Sequence, residues 1–289
     1  MESDNKILSI IIVSYNCLDI LKDCIESVWK YNDLGDALEV IVVDNSSDGD
    51  TIEWLTNECK SVIAIKNDNK GFGQANNVGA KVAKGKYLLF LNPDTLLVEP
   101  VGKYAIDKFN RYPNIGCFGV QLIGKNGKRT HSTGFRMNMG FFRTLSCVIL
   151  TQLGIFVQRI MFTTGADIFI AKDVFIEAGM FDENLFMYCE EADLSNRLNS
   201  MDKKVYFFKD MKIIHLEGKT SDSRLSVVYE REAKSKEYYC KKYGLSFAKE
   251  GMKERKYCNF KRILFGLLGN KTLASEYKKI VNMWDEKLK

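Results

Sequence analysis

Short apolar runs alternate with amphipathic stretches through the N-terminal part of the chain. "ILSIIIVSY" (7–15) is short and rich in β-branched residues, which predicts a buried strand. "CLDILKDCIESVWKY" follows with Leu18, Leu21, Ile25 and Val28 at helical spacing. "LEVIVVDNSS" predicts a second strand, "TIEWLTNEC" a helix and "SVIAIKN" a third strand. "GQANNVGAKVAKG" predicts a helix closed by Gly85, and "KYLLFLNPD" a fourth strand. Strands alternating with helices predict an α/β fold, a mostly parallel sheet flanked by helices on both faces.

The second half is less regular. "GCFGVQLIGKNGKRTHSTG" predicts a strand and a hairpin turn around residues 125–127. "GADIFIAKDVFIEAGMFDE" predicts a strand running into a helix, "EEADLSNRLNSM" a helix, and "KKVYFFKDMKIIHLEG" one or two strands. From Ser226 onward Lys and Arg mix with Tyr, Leu and Phe in long helical patterns, so a helical C-terminal extension is expected over 226–289.

Open parallel sheets bind ligands beyond the carboxyl ends of their strands. The residues at those ends are Ser14, Tyr15 and Asn16; Asp44 and Asn45; residues 67–69; and Asn92, Pro93 and Asp94. Further on, "MYCEEADL" (187–194) adds Glu190 and Glu191, and "IIHLEGKTS" (213–221) adds His215. Asp94 with His215 suits Mn2+ or Mg2+, since these cations take oxygen ligands and imidazole favours manganese. A general base must be a separate carboxylate, which the Glu190–Glu191 pair supplies. Taken singly, each has a plainer explanation: a turn cap for Asp94, a solvated first helical turn for the glutamates, a structural role for His215. "GFGQAN" (71–76) has the outline of a dinucleotide loop, but Asn76 stands where a third glycine belongs and the first strand–helix turn lacks glycine.

Composition narrows the classes further. With 46% hydrophobic and 27% charged residues, the chain is that of an ordinary globular protein, and a net charge of +5 does not call for nucleic acid. The eight cysteines are scattered without a C-x-x-C pair, which predicts reduced thiols and a cytoplasmic setting. No stretch reaches the roughly 18 to 20 apolar residues of a membrane span.

In their order and spacing, "SIIIVSYN", "VIVVDNSSDG", "NKGFGQANNVGA", "YLLFLNPDT", "GADIFIAKDVFIEAGMFDENLFMYCEEADLSNRL" and "IIHLEGKTS" resemble family 2 glycosyltransferases of the GT-A fold, in particular the rhamnosyltransferase-like branch. The resemblance covers most of residues 7–221. It implies a GT-A domain over 1–225, with a donor half to about residue 125 and an acceptor half after it. It implies a nucleoside-diphosphate sugar held by Ser14, Tyr15, Asn16, Asp44, Asn45, Asn69, Gly71, Phe72, Asn76 and Asn92. Asn92-Pro93-Asp94 sits at the family's metal-binding D-x-D, leaving Asp94 as the carboxylate, with His215 beside the metal or diphosphate. Glu191 takes the position of the base, Glu190 being the alternative, and Lys219 stands near the leaving group. The implied activity is inverting, metal-dependent transfer of one sugar, with dTDP-rhamnose the first donor and UDP-hexoses or UDP-N-acetylhexosamines the alternatives. The acceptor is a glycan or a lipid-linked hydroxyl in surface polysaccharide synthesis. A non-catalytic sugar-nucleotide-binding protein is the competing class.

Two segments bear on the membrane. Residues 139–162 read either as a buried helix pair or as an interfacial element carrying Arg143 and Arg159. "KERKYCNFKRILFGLLGNK" (253–271) has the basic, aromatic and aliphatic mix of a surface-lying helix, which fits an enzyme at the inner face of the cell membrane.

Overall fold

A computed structural model describes residues 6–47, 49–136, 150, 153, 155–216 and 224–289. The expected strands form where the apolar runs lie: β1 (Leu8–Ser14), β2 (Leu38–Asp44), β3 (Val62–Lys66) and β4 (Tyr87–Leu91). They pair in parallel in the order β3-β2-β1-β4. Every residue of β1, β2 and β4 is buried, as strands covered on both faces require. The helices between them are α1 (Leu18–Lys30), α2 (Asp50–Glu58) and α3 (Phe72–Val82).

The sheet then changes direction. The remaining strands are β5 (Thr95–Leu97), β6 (Ile115–Ile123), β7 (Thr133–Phe135), β8 (Met161–Thr163), β9 (Asp167–Ala171) and β10 (Lys204–His215). β9 runs antiparallel between β4 and β6, β10 lies parallel to β6, and β5 pairs antiparallel with the end of β10. The result is one mixed eight-stranded sheet, beside a small sheet made by β7 and β8. A turn links Gly124 to Lys128 where the hairpin was expected, with Gly127 at φ 73°. Sequence patterning passes over β5, β7, β8 and the helix α4 (Gly102–Arg111).

Helices cover both faces. On one side Leu21, Cys24, Ile25 and Val28 of α1 and Ala105 and Phe109 of α4 pack against Ile10, Val40, Leu89 and Phe118. On the other, Ala75 and Ala80 of α3 join Val174 and Phe175 of α5 (Lys172–Glu177) and Leu194 and Leu198 of α6 (Glu190–Ser200) over Ile11, Val43 and Phe90. The rings of Phe90, Phe175 and Phe181 meet at 4.8 to 5.2 Å and tie the segment after α5 to the sheet. Three C-terminal helices follow: α7 (Leu225–Lys242), α8 (Phe247–Leu267) and α9 (Lys271–Lys287). Ala233, Cys258, Ile280 and Trp284 form their shared core.

Seven cysteines are free thiols among the described residues, as their spacing implies. No helix among those residues is long and apolar enough to cross a membrane. Most of 139–162, including Arg143, lies outside the described residues, as do Lys219 and Cys147; Arg159 is described, exposed at φ 64°.

The fit of α3 on the sheet depends on Gly79. A Cβ there would lie 2.5 Å from Ile11 Cγ2 and 3.3 Å from Val43 Cγ2, both on fully buried strand residues that have no room to withdraw. Gly79→Ala gains about 1 kcal/mol of helix propensity but overpacks this contact at a cost of roughly 1–3 kcal/mol. At so short a distance the upper end applies. Thermal melts should show a net loss of a few degrees; an unchanged or raised melting temperature would mean that α3 shifts freely.

Candidate active site

The strand ends converge as the fold requires. At β1, Ser14 is fully buried with its Oγ 3.6 Å from Cys17 Sγ, while Tyr15 is 45% exposed. Asn16 takes a left-handed conformation (φ 49°), and its backbone N–H donates to Ser46 Oγ at 2.7 Å. Ser46 in turn donates to Asp44 Oδ1 at 2.7 Å. Asp44 Oδ2 has no hydrogen-bond partner, and Lys66 Nζ stands 3.9 Å from it. A buried carboxylate oxygen aimed at no protein donor is free to accept one from a ligand.

Asn45, Asn67 and Asn69 form an amide chain: Asn67 Nδ2 donates to Asn45 Oδ1 at 2.8 Å, and Asn45 Nδ2 to Asn69 Oδ1 at 3.4 Å. Asn69 Oδ1 also accepts the Gly71 N–H at 3.3 Å. Gly71 is obligatory. Its φ is 111°, and a Cβ would lie 2.3 Å from the Phe186 carbonyl oxygen, which accepts the Phe72 N–H at 2.9 Å. Asn76 sits deeper than a pocket-lining role suggests: it is 1% exposed, and its amide bonds to the Phe72 carbonyl within α3.

Asp94 and His215, far apart in sequence, are brought together by β5. Thr95 pairs with His215 across β5 and β10, and the Leu216 N–H donates to the Asp94 carbonyl at 2.8 Å. Asp94 Oδ1 faces His215 Nε2 at 3.3 Å, with no hydrogen bond closing on that oxygen. Asp94 is 2% exposed, and His215 Nδ1 also lacks a partner. An acidic oxygen that no hydrogen bond reaches, with an imidazole nitrogen 3.3 Å away, fits a divalent cation. Among the described residues no group of three His, Cys, Asp or Glu stands ready to hold one, so the remaining ligands would be diphosphate oxygens and water.

Glu190 and Glu191 open α6. The two residues before them, Tyr188 and Cys189, are both left-handed at φ 71° and 72°, which costs about 1–2 kcal/mol each for L-residues. Glu191 is part-buried and its Oε1 accepts the Gly165 N–H at 2.8 Å. The next residue, Ala166, accepts the Asn92 N–H at 3.0 Å. Glu191 and the Asp94–His215 pair are thus anchored to two sides of one junction. Glu190 turns inward, 3% exposed, with Oε2 unpartnered. Burial raises the pKa of both; for Glu190, driven well above the usual carboxylate range, the charge of Glu191 adds to it. His131 is exposed, and its carbonyl accepts the Thr164 hydroxyl at 3.4 Å, one residue before Gly165.

Sequence reasoning missed Gly165 as the donor to Glu191, Ser46 as the link from Asn16 to Asp44, and the left-handed turn at Tyr188–Cys189. Only Gly165 left a signal, as the glycine of "GAD". Asp167 was missed too: fully buried, with Oδ2 taking the Val120 N–H at 2.5 Å and its acidity suppressed by burial.

The raised Glu190 carries a stability consequence. An unfolded Glu titrates near 4.3, so from about that pH up to its higher native value the folded state holds the extra proton. Stability is therefore lost as pH rises through that window. Glu190→Gln should raise the melting temperature by a few degrees at pH 7.5 and give no gain below about pH 4. Equal melts at both pH values would show that Glu190 is not strained by its charge.

Residues 9–164 match the family model described as Glycosyl transferase family 2. The O-antigen biosynthesis protein RfbC of Myxococcus xanthus is 26% identical over 224 residues, covering 73% of this chain and 17% of the relative. The rhamnosyltransferase WbbL of Escherichia coli K12 is 26% identical over 245 residues, covering 78% of this chain and 89% of the relative. Among solved structures, the mannosyltransferase PcManGT of Pyrobaculum calidifontis, in complex with GDP-Man and Mn2+, superposes with a TM-score of 0.55 at 15% identity, over 78% of this chain and 60% of that one. The chain spans less than a quarter of the length of the first curated relatives it matches, which are several times longer. The mixed sheet with its flanking helices is a GT-A fold, and the chain belongs to glycosyl transferase family 2.

Proposed function

We propose that the protein transfers one sugar from a nucleoside-diphosphate sugar to a hydroxyl of a glycan or lipid-linked acceptor in surface polysaccharide synthesis, with inversion at the anomeric carbon. The observation that carries this is the junction at Asn92 and Ala166, which holds a carboxylate base on one side and the Asp94–His215 pair on the other. The unpartnered Asp44 Oδ2 and the amide chain from Asn45 to Asn69 present acceptors and donors for the base and ribose of the nucleotide. Gly71 lets the backbone come close where the sugar would lie.

In this reading Glu191 accepts the acceptor's proton while the acceptor oxygen bonds to the anomeric carbon, as the bond from that carbon to the diphosphate breaks. The acceptor hydroxyl is too weak an acid to attack unaided at neutral pH, so the base is needed. Burial raises the affinity of Glu191 for that proton, and the Gly165 N–H fixes its direction. Asp94 and His215 would hold a divalent cation, Mn2+ or Mg2+, which would offset the charge developing on the departing diphosphate. A base and a cation-type pair on opposite sides of one junction suit a single in-line displacement. The rhamnosyltransferase relative favours dTDP-rhamnose as donor, with UDP-hexoses as the second choice. We read 1–225 as the transferase domain and 226–289 as an added helical element, in a protein working at the cytoplasmic face of a membrane.

The membrane part rests on α8. Met252, Lys256, Phe260, Ile263 and Leu267 recur at helical spacing, and Phe260 and Leu267 are 60% and 82% exposed. Leu268, just past the end of the helix, is 69% exposed. The acids of this helix are neutralised: Glu250 pairs with Lys253 at 2.6 Å, and Glu254 with Lys236. The outer face therefore presents exposed apolar groups among Lys249, Lys256 and Lys271, which complements an anionic lipid surface.

Three experiments test these readings. Glu191→Gln should abolish nucleoside-diphosphate release from the donor while donor binding persists, and Asp94→Ala should lose the manganese dependence of that binding. Wild-type turnover in the first, or unchanged metal dependence in the second, removes the residue from its role. In flotation with vesicles containing anionic lipid, the protein should rise with the lipid, and Phe260→Ser with Leu267→Ser should leave it behind. No flotation of the unaltered protein rules out the α8 surface.

A further inference from the structure

The C-terminal helix α7 reaches back to the segment that presents the two glutamates. Ser235 Oγ donates to the Met187 carbonyl at 2.6 Å, immediately before the left-handed pair Tyr188–Cys189. Cys189 itself packs in a small core with Leu185, Ala192, Tyr239 and Cys240. One turn into α6, the fully buried Asp193 receives Tyr243 Oη at 2.7 Å and Lys242 Nζ at 2.6 Å on Oδ1, and Arg197 on Oδ2. Lys242 Nζ also reaches Asp182 Oδ2 at 2.6 Å, and Tyr238 Oη joins that oxygen at 3.0 Å. Asn196 Nδ2 donates to Tyr239 Oη at 2.5 Å. The contacts from α7 and from Tyr243 at its end all fall between Asp182 and Asn196, around Glu190 and Glu191.

We propose that α7 is a positioning element for the transfer reaction: Ser235 and Tyr243 hold the 187–193 turn in the conformation that sets Glu191 against the Gly165 N–H. The proposal rests on Glu191 being the base. The physical need is plain. Two consecutive left-handed L-residues do not persist without outside support, and within the turn the one backbone bond that Cys189 makes forward, from its carbonyl to the Asp193 N–H, only starts the helix. The support comes from α7: a hydroxyl on the carbonyl just before the turn, an apolar pocket for Cys189, and two donors on Asp193 just after Glu191. A catalytic group displaced by about 1 Å loses orders of magnitude in rate, so the same contacts govern turnover. Ser235 and Tyr243 touch neither donor nor acceptor.

The test uses the full chain with Mn2+ and dTDP-rhamnose or UDP-glucose, whichever the unaltered protein cleaves, reading nucleoside-diphosphate release, donor affinity by calorimetry and amide hydrogen exchange. Ser235→Ala and Tyr243→Phe each remove one oxygen. Each should lower kcat about tenfold or more with donor affinity unchanged, and should speed exchange across 186–193 alone. The acid limb of kcat should move to lower pH as Glu191 gains water, and Ser235→Thr should restore both kcat and exchange. Ser226→Ala, which breaks the 2.8 Å bond to Glu276 at the far end of α7, is the control and should leave kcat and that exchange unchanged. Normal kcat and normal exchange in both variants overturn the proposal, as does a loss of donor affinity in step with kcat or an equal loss in Ser226→Ala. Turnover in Glu191→Gln instead overturns the assignment of the base, whatever the α7 variants do.

Discussion

The hydrogen bond from the Asn92 N–H to the Ala166 carbonyl joins the two halves of the sheet at the edge beside Asp94 and Gly165. β4 ends at Leu91 and β9 begins at Asp167, which lie opposite each other in antiparallel register. The chain on both strands leaves the ladder at this point, one way into the Asn92–Asp94 turn and the other back to Gly165. Because β9 runs antiparallel to β4, the amino end of β9 meets the carboxyl end of β4. A wholly parallel sheet would have placed a second carboxyl end there. The reversal puts a loop N–H, that of Gly165, beside the parallel half's binding edge, and that N–H is what Glu191 binds.

The polar groups around this edge share an electrostatic condition. Asp44, Asp94, Asp167 and Glu190 are all nearly inaccessible, and each keeps one carboxylate oxygen that no hydrogen bond reaches, with Lys66 and His215 standing 3.9 and 3.3 Å from those of Asp44 and Asp94. Burying a charged oxygen unpaired costs several kcal/mol in a low-dielectric interior. A fold maintained for stability alone would have capped these oxygens with nearby donors, as it does for Glu39, whose carboxylate at the opposite end of the sheet takes the Gly85 N–H at 3.1 Å and Ser9 Oγ. The two ends of the sheet thus differ: Glu39 gathers donors on its carboxylate, whereas Asp44, Asp94 and Glu190 each keep an oxygen that no hydrogen bond reaches. Asp193 belongs with Glu39 despite its neighbours, since Lys242, Tyr243 and Arg197 occupy both of its oxygens.

How much of this can be read in the sequence follows from length and chemistry. β1, β2 and β4 are runs of five to seven buried residues, long enough for β-branched and aromatic composition to register, and so the binding edge is legible. β5, β7 and β8 have three residues each, below the reach of any period. That loss matters, because β5 is the strand that carries Asp94 to His215. Glu190 and Glu191 are visible as a pair, yet their surroundings are not: left-handed backbone is usually announced by glycine or asparagine, and here Tyr188 and Cys189 adopt it. Support from α7 is illegible for another reason. Its contacts are long-range, and Ser235 or Tyr243 in a helical pattern reads as an ordinary half-exposed position.

The single carboxylate at the turn is consistent with the electrostatics around it. Asn92 is half-buried; its carbonyl accepts both the Thr95 N–H at 3.2 Å and Thr95 Oγ1 at 2.7 Å, which closes the turn without help from an acidic side chain. An aspartate at that position would add a third acid to an edge already holding Asp44 and Asp94, with Asp167 buried one residue from the Ala166 bond. Like charges crowded in a buried setting repel, a cost that an asparagine avoids. Beside Asp94 stands the imidazole of His215 at 3.3 Å, which adds no further acid to that edge. Asparagine at the turn with a histidine on β10 brings a second side chain to Asp94 without a second carboxylate. It also makes the site depend on the β5–β10 pairing, since no local motif then holds both groups.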